Sequence, residues 1–303
     1  MESDITLHRL GSHFGLMSLG RLERSLRRLP TSATIVVEYT PHAFGYKAMN
    51  VPFCLWLASR FRGRYWVMFH EVWFPFVKGQ SWKHRLLATA TRKMASILAN
   101  NAERVFISIQ QWRPILEQEC RRLPPCHWLP VPSNVPCKSD PTRVAAIRES
   151  LSSDGDQSKV IGHFGTFDTV TADMLSHVLP SILYAQPCRA LLIGRGSQRF
   201  VKQFVERHPQ LKRRLLGTGG LPAPEIANHL AACDLLVQPY LGGACTRRGT
   251  LMAGLGLGLP VISNTGPFSD SVFLDSSAIE TVPENRWDLM AYQATKLLAD
   301  KNR

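Results

Sequence analysis

Short apolar runs separated by amphipathic stretches organise this chain, and the alternation is most regular in its second half. Residues 159–165 (KVIGHFG) read as a strand ending in glycine, followed by a helix over about 171–184. The next strand, 189–194, stops at Gly194-Arg195-Gly196, and a basic helix covers 197–208. A short strand at 215–218 precedes a helix that Pro224 and Glu225 open and that runs to about 232. Proline suits such a first-turn position because its missing N–H would be unbonded there anyway. Then come a strand at 235–238, a helix at 250–256 and a strand at 260–263. Strands separated by helical stretches predict a parallel, doubly wound sheet built from βαβ crossovers.

The first half follows the same rhythm. Strands are predicted at 33–39, 65–70 and 104–108, with helices at 50–60 and 83–100. Residues 21–29 (RLERSLRRL) place Leu22, Leu26 and Leu29 on one helical face and arginines on the other. Such a helix either packs its leucines on its own domain or lies on an anionic membrane surface. Four prolines in 129–142 mark a linker, so two domains are expected, 1–141 and 142–303. Parallel sheets bind ligands beyond the carboxyl ends of their strands. That rule points to His70, Glu71, Gly165, Gly194 and the loop 242–248.

Charge sharpens the picture. The net charge is +13 over 303 residues. Residues 1–145 hold 20 Lys and Arg against 9 Asp and Glu, net +11, and residues 146–303 hold 16 against 14, net +2. A basic first half suits an anionic partner, whether membrane phospholipid, lipid-linked phosphate or nucleic acid, or else is a solvated basic surface with no specific partner. Nucleic acid is not expected, because no nucleic-acid motif accompanies the charge. Seven cysteines without a CxxC pair argue for a reducing compartment and against a zinc site. No apolar run approaches the roughly 18 residues of a membrane span. No signal peptide is visible, and the expected location is cytoplasmic, peripheral to the inner face of the membrane.

The most informative segment is 235–265 (LLVQPYLGGACTRRGTLMAGLGLGLPVISNT). An apolar strand enters a Pro-Tyr corner, and a glycine-rich loop with paired arginines leads into a small-residue helix. Thr246, Arg247, Arg248, Gly249 and Thr250 fall at the loop-to-helix junction, where amides, guanidiniums and a helix N-terminus suit a phosphate or diphosphate. The plainer reading is an ordinary strand–helix–strand unit. Gly165-Thr166 and Gly194-Arg195-Gly196 end two further strands, where missing Cβ atoms let a ligand approach the backbone. Neither matches the dinucleotide fingerprint. His70-Glu71, followed by an aromatic loop containing Trp73, reads as a sugar or acceptor contact or an acid/base group, or else as a satisfied core histidine.

Taken in order, these segments resemble the GT-B glycosyltransferases, especially the retaining group numbered family four (group 1). Residues 162–166 resemble the strand-loop that opens the family's nucleotide-sugar domain. Residues 192–196 resemble its IGxG strand, and 221–240 the helix and strand before its donor loop. Residues 250–262 resemble its EAMAxGxPVV segment, His70-Glu71 its HE strand end, and 131–136 its domain crossover. The resemblance covers most of residues 33–300. It implies two Rossmann-like doubly wound domains facing a cleft, a nucleotide-diphosphate sugar on the second, and a lipid-linked or polysaccharide acceptor on the basic first. It implies no obligatory metal and no other cofactor.

On this resemblance His70, Arg247 and Arg248 take catalytic roles. Gly165, Thr166, Gly194, Arg195, Gly196, Thr246, Gly249 and Thr250 bind the nucleotide sugar, and Glu71 and Trp73 lie on the acceptor side. The expected reaction moves a hexose-type sugar with retention. The sequence departs from the family in three ways. The two donor-loop glutamates align with Cys245 and Ala253. No Arg or Lys follows the opening strand between 166 and 171. Both ends are short against the family, so that the first domain is expected to be incomplete at its start. The departures leave a second reading open, a GT-B-like scaffold or partner protein impaired in catalysis.

Overall fold

The computed structural model describes residues 6–10, 14–30, 32–76, 78–152, 158–275 and 277–300. The chain divides into two compact units, Met1–Pro130 and Val131–Arg303.

The first unit runs α1 (Leu16–Arg27), β1 (Ile35–Tyr39), two single 3-10 turns, α2 (Val51–Arg60), β2 (Tyr65–Phe69), α3 (Trp82–Asn101), β3 (Arg104–Ile107), α4 (Trp112–Glu119) and β4 (Cys126–Trp128). The four strands pair in parallel in sequence order, β1-β2-β3-β4. Right-handed crossovers between strands that step one way put successive helices on one face, and α2 packs on α3, and α3 on α4. Asn50 starts α2: its Oδ1 accepts from Phe53 N at 3.1 Å while its Nδ2 donates to Phe44 O at 2.7 Å. Two buried tyrosines fasten the sheet to α3. Tyr39 donates to Thr91 O and Tyr65 to Leu98 O.

α1 ends two residues before Leu29. Leu19 is buried and Leu22 and Leu26 are half-buried, whereas Leu29 lies past the helix in solvent. The apolar stripe is therefore spent on packing, and the expected stripe through Leu29 is shorter by one position.

The second unit runs α5 (Pro141–Leu151), β5 (Lys159–Phe164), α6 (Thr169–Ala185), β6 (Cys188–Ile193), α7 (Ser197–Arg207), β7 (Leu215–Gly217), α8 (Ala223–Ala231), β8 (Leu235–Gln238), α9 (Gly249–Gly256), β9 (Val261–Asn264), α10 (Ser271–Leu274), β10 (Glu280–Val282) and α11 (Trp287–Ala299). Its parallel sheet has the order β10-β9-β8-β5-β6-β7. The chain steps outward from β5 to β7, then returns to the other side of β5 at β8. That reversal is the topological switch point at which such sheets bind ligands.

Both sheet faces are covered. Ile161, Leu192, Val237 and Ile262 face one cluster with Leu179, Phe204 and Ala294. Val160, Leu191, Leu236 and Val261 face another with Ile147, Leu230 and Leu251. Burial on both sides is why the strands read as unbroken apolar runs rather than alternating ones. The proline-rich stretch from Val131 onward packs with this unit. Val135 is in its core, Val131 N donates to Thr246 O at 3.1 Å, and Asp140 N donates to Asn228 Oδ1 at 2.8 Å. The division thus falls at Pro130, within the predicted linker but ahead of the expected boundary at 141.

His163 on β5 sits inside this core. It is 2% exposed, and its Nδ1–H donates to Val237 O at 2.9 Å. Burial pushes its pKa down from 6.5 to about 4, so the ring is neutral in the folded state. Because the unfolded chain takes up this proton near pH 6.5 and the folded chain does not, stability is full above that pH and falls as pH drops toward 4. The loss attributable to His163 is about 3 kcal/mol at its limit. Urea unfolding of the wild type and His163→Gln between pH 7 and pH 4 checks this. The variant should show a shallower pH slope, and an unchanged slope would remove His163 as its source.

Candidate functional site

At the carboxyl ends of β5 and β6 the backbone folds on itself. Gly165 N donates to Ile193 O at 3.0 Å, Phe167 N to Arg195 O at 3.0 Å, and Gly194 N to Gly219 O at 3.1 Å. Gly194 has φ +122°, and a Cβ there would stand 2.1 Å from Gly165 O. No other residue fits without moving one of the two strand ends. Gly196, with φ +87°, is the left-handed N-cap of α7. These two glycines are thus required by the fold itself.

A groove of about 410 Å³ opens over this junction, lined by Phe164, Gly165, Thr166, Gly194, Arg195, Gly220, Leu221, Pro222, Ile226 and Thr250. Five residues expected to bind a nucleotide sugar meet here: Gly165, Thr166, Gly194, Arg195 and Thr250. Thr166 and Arg195 are exposed, and their amides donate to no acceptor among the described residues. Leu221, Pro222 and Ile226, at and before α8, supply an apolar wall that the sequence reading did not assign to the site. Beneath it, His163 Nε2 lies 3.1 Å from where a Cβ on Gly165 would project.

The loop before α9 is organised differently from the expected phosphate cradle. Thr246 is buried, and both its N–H and its hydroxyl donate to Asp270 Oδ2 at 2.7 Å. Gly243 presses on the loop 265–269, so that a Cβ there would stand 2.2 Å from Ser269 Oγ. The glycines of this loop let two loops touch. Arg248 Nη2 donates to Leu241 O at 2.6 Å, and its guanidinium lies 4.9 Å from the Tyr240 ring. Arg247 lies 5.7 Å from the Phe268 ring. Gly249 N donates to Arg247 O at 3.1 Å.

Of the five residues expected to converge on a phosphate, Thr246, Arg248 and Arg247 contact Asp270, Leu241 and the Tyr240 and Phe268 rings. Thr250 alone of the five lines the groove. Tyr240 connects the two regions, because its hydroxyl hydrogen-bonds Thr250 Oγ1 at 2.8 Å. Burial pushes that phenol well above its ordinary pKa, keeping it a neutral donor or acceptor. Cys245 is fully buried and Ala253 is 3% exposed within the core. A carboxylate at either position would be desolvated rather than presented to a ligand.

In the first unit, His70 follows β2. Its Nε2 lies 2.6 Å from Glu38 Oε2 on β1, and its N donates to Tyr39 O. Its carbonyl accepts from Ser108 Oγ at 3.3 Å and Trp112 Nε1 at 3.2 Å. The backbone is pinned from the β3–α4 junction while Glu38 orients the ring. Glu38 was missed in sequence because it lies 32 positions away and becomes a neighbour only through strand pairing. Glu71 is half-buried beyond His70. Trp73 is covered by the Arg92 guanidinium, 3.8 Å from its ring centre. Among the described residues no three His, Cys, Asp or Glu side chains are grouped to hold a metal ion.

Residues 158–300 match the family model of the glycosyl transferases group 1. The match takes in a little under half of the chain, and this span is similar to a group 1 glycosyltransferase domain. Solved structures share the fold over 78% to 94% of the chain. WaaG, a glycosyltransferase involved in lipopolysaccharide biosynthesis, is 14% identical with TM-score 0.57, covering 78% of this chain and 66% of its own. Sucrose-phosphate synthase from Thermosynechococcus elongatus is 16% identical with TM-score 0.66, covering 94% and 69%. The Anabaena HepE protein, solved with UDP and glucose, is 17% identical with TM-score 0.62, covering 94% and 73%. The two parallel-sheet units are those of the GT-B fold, and the chain spans about two thirds to three quarters of these structures' lengths. No curated protein matches the chain in sequence.

In the second unit, Asp270 is the residue on which the loop before α9 depends. Asp270→Ala leaves two buried donors of Thr246 unpaired and should destabilise the protein by about 3 kcal/mol. Asp270→Asn, which retains one acceptor oxygen, should cost less. Urea unfolding of both variants checks the order, and equal stability of all three proteins would show that the contact carries no weight.

Proposed function

We propose that the protein is a retaining glycosyltransferase that moves a hexose-type sugar from a nucleotide-diphosphate sugar to a lipid-linked or polysaccharide acceptor. The observation that carries this reading is the groove at the β5–β6 ends, in a domain of group 1 type. It joins unbonded amides, one guanidinium and an apolar wall at the end of β5, the strand beside the switch point. Neighbours of the same fold solved with UDP and glucose, or with UDP and GlcNAc, support a sugar nucleotide as the ligand.

In this reading Leu221, Pro222 and Ile226 receive the nucleoside, and Arg195 with the Thr166 and Arg195 amides takes the diphosphate. Thr250, held by Tyr240, offers a hydroxyl. No metal or other cofactor is required. The bond between the anomeric carbon and the phosphate oxygen breaks as the acceptor hydroxyl bonds to that carbon. The acceptor proton passes to a departing phosphate oxygen, and the attack is on the face the diphosphate leaves. Charge developing on the diphosphate is offset by prearranged donors, the electrostatic task such sites perform. His70, oriented by Glu38, and Glu71 take the acceptor side. Arg247 and Arg248, committed to Phe268, Tyr240 and Leu241, act by holding the loop before α9.

A second reading is favoured by one observation, the burial of Cys245 and Ala253, which leaves no carboxylate where the family places two. A protein of that kind would keep the groove and lack turnover.

Thermal unfolding with a panel of UDP-, GDP- and ADP-sugars tests the first reading. Ligand at about a hundred times its Kd should add about 2.7 kcal/mol of stability. Arg195→Ala should weaken binding about tenfold or more, the loss of one charge-assisted contact, with the unliganded Tm unchanged. No shift with any sugar nucleotide would sink the proposal. Binding without hydrolysis or transfer would favour the second reading.

A further inference from the structure

We propose that the first turn of α3 and the loop before it dock the protein on an anionic lipid bilayer. From Val72 to Ala102 the chain contains no Asp or Glu, while it holds Lys78, Lys83, His84, Arg85, Arg92 and Lys93. The first five residues of α3, from Trp82 to Leu86, are all exposed. Trp82 is 70% exposed, Leu86 52%, and Phe76 in the preceding loop 51%. Positions 82, 85 and 86 are helical neighbours, so an aromatic, a cation and an aliphatic side chain share one surface. Lys83 Nζ stands 5.8 Å from the Trp82 ring. Beside them lies a concavity of about 440 Å³ lined by Phe76, Lys78, Gly79, Gln80 and Arg85. Among the described residues, Lys78, Lys83 and Arg85 form no ion pair.

The base of this surface is fixed. Arg92 pairs with Glu119 at 2.5 Å, and its guanidinium lies 3.8 Å from the Trp73 ring and 4.6 Å from the Phe76 ring. The loop is thereby tied to α3 while the outer side of Phe76 stays in water. Exposed apolar side chains clustered within a cationic rim mark an interaction surface. Charge complementarity selects the partner. Trp at the headgroup level and Lys and Arg on lipid phosphates are how proteins rest on anionic membranes. α1, the basic helix that the sequence also offered to a membrane, has turned Leu19, Leu22 and Leu26 to its own unit and paired Arg27 with Glu23.

Sedimentation of the full chain with vesicles tests the proposal and needs no sugar nucleotide, so its failure is separate from failure of the transferase reading. The protein should bind vesicles of mixed phosphatidylcholine and phosphatidylglycerol, bind phosphatidylcholine alone weakly, and lose binding in high salt. Replacing Lys78, Lys83 and Arg85 together by Ala should lower partitioning about a hundredfold. Replacing Phe76 and Trp82 by Ala should lower it about tenfold. All five side chains lie at the surface, and circular dichroism confirms that the variants fold. Replacing Arg21, Arg24 and Arg28 on and beside α1 should change partitioning far less. Equal binding to neutral and anionic vesicles, or a larger loss from the α1 variant than from the α3 variant, would overturn the proposal.

Discussion

The near-contact of Gly194 with Gly165 is the constraint on which the groove of the second unit depends. The ends of β5 and β6 come so close that a single methyl group would strike the opposing carbonyl. Because neither loop carries a side chain there, each can bond the other: Gly165 N to Ile193 O, and Phe167 N to Arg195 O. That mutual bonding fixes where the Thr166 and Arg195 amides stand and where the Arg195 side chain begins. Gly196 then turns the chain directly into α7. The groove is a consequence of a backbone arrangement that sterics leave almost no freedom to vary.

The loop before α9 shows a different use of similar residues. Glycines, threonine and paired arginines suggested a ligand cradle, yet most of them are consumed in holding the loop. Asp270 takes both donors of Thr246, Gly243 accommodates Ser269, and Arg248 satisfies the Leu241 carbonyl. A buried carboxylate needs such donors to offset its desolvation, and a loop needs partners for its backbone carbonyls. Both demands are met by residues whose composition also suits phosphate binding. Thr250 stands at the half-buried start of α9, with Tyr240 holding its hydroxyl.

The two units divide the chemistry unevenly. The second carries the switch point and the groove. The first carries the excess positive charge, the His70–Glu38 pair and the exposed aromatic start of α3. In each unit the chemically informative side chains follow strands, because a strand end is where a rigid scaffold stops and loops begin. Trp73 illustrates the competing pull of packing: its indole serves as a platform for Arg92, which in turn holds Phe76.

By itself the sequence determined β5 to β9 and the helices between them almost to the residue, including the strand Leu235–Gln238, while α5 and α11 were not read from it. It could do so because strands buried on both faces are unbroken apolar runs, and the glycines ending them are required locally. It also placed Gly165, Thr166, Gly194 and Arg195 at the carboxyl ends of strands, since strand polarity alone dictates that, and with Thr250 they line one groove. Shorter elements such as β4 and β10 were not legible, because three-residue strands carry no periodicity. Nor were the pairings Glu38–His70, Asp270–Thr246 and Tyr240–Thr250, the apolar wall at Leu221–Pro222, or the assignment of Val131 onward to the second unit. Only the tertiary structure decided these. Each depends on distances between segments remote in the chain, and on which of several chemically equivalent donors the packed backbone claimed first.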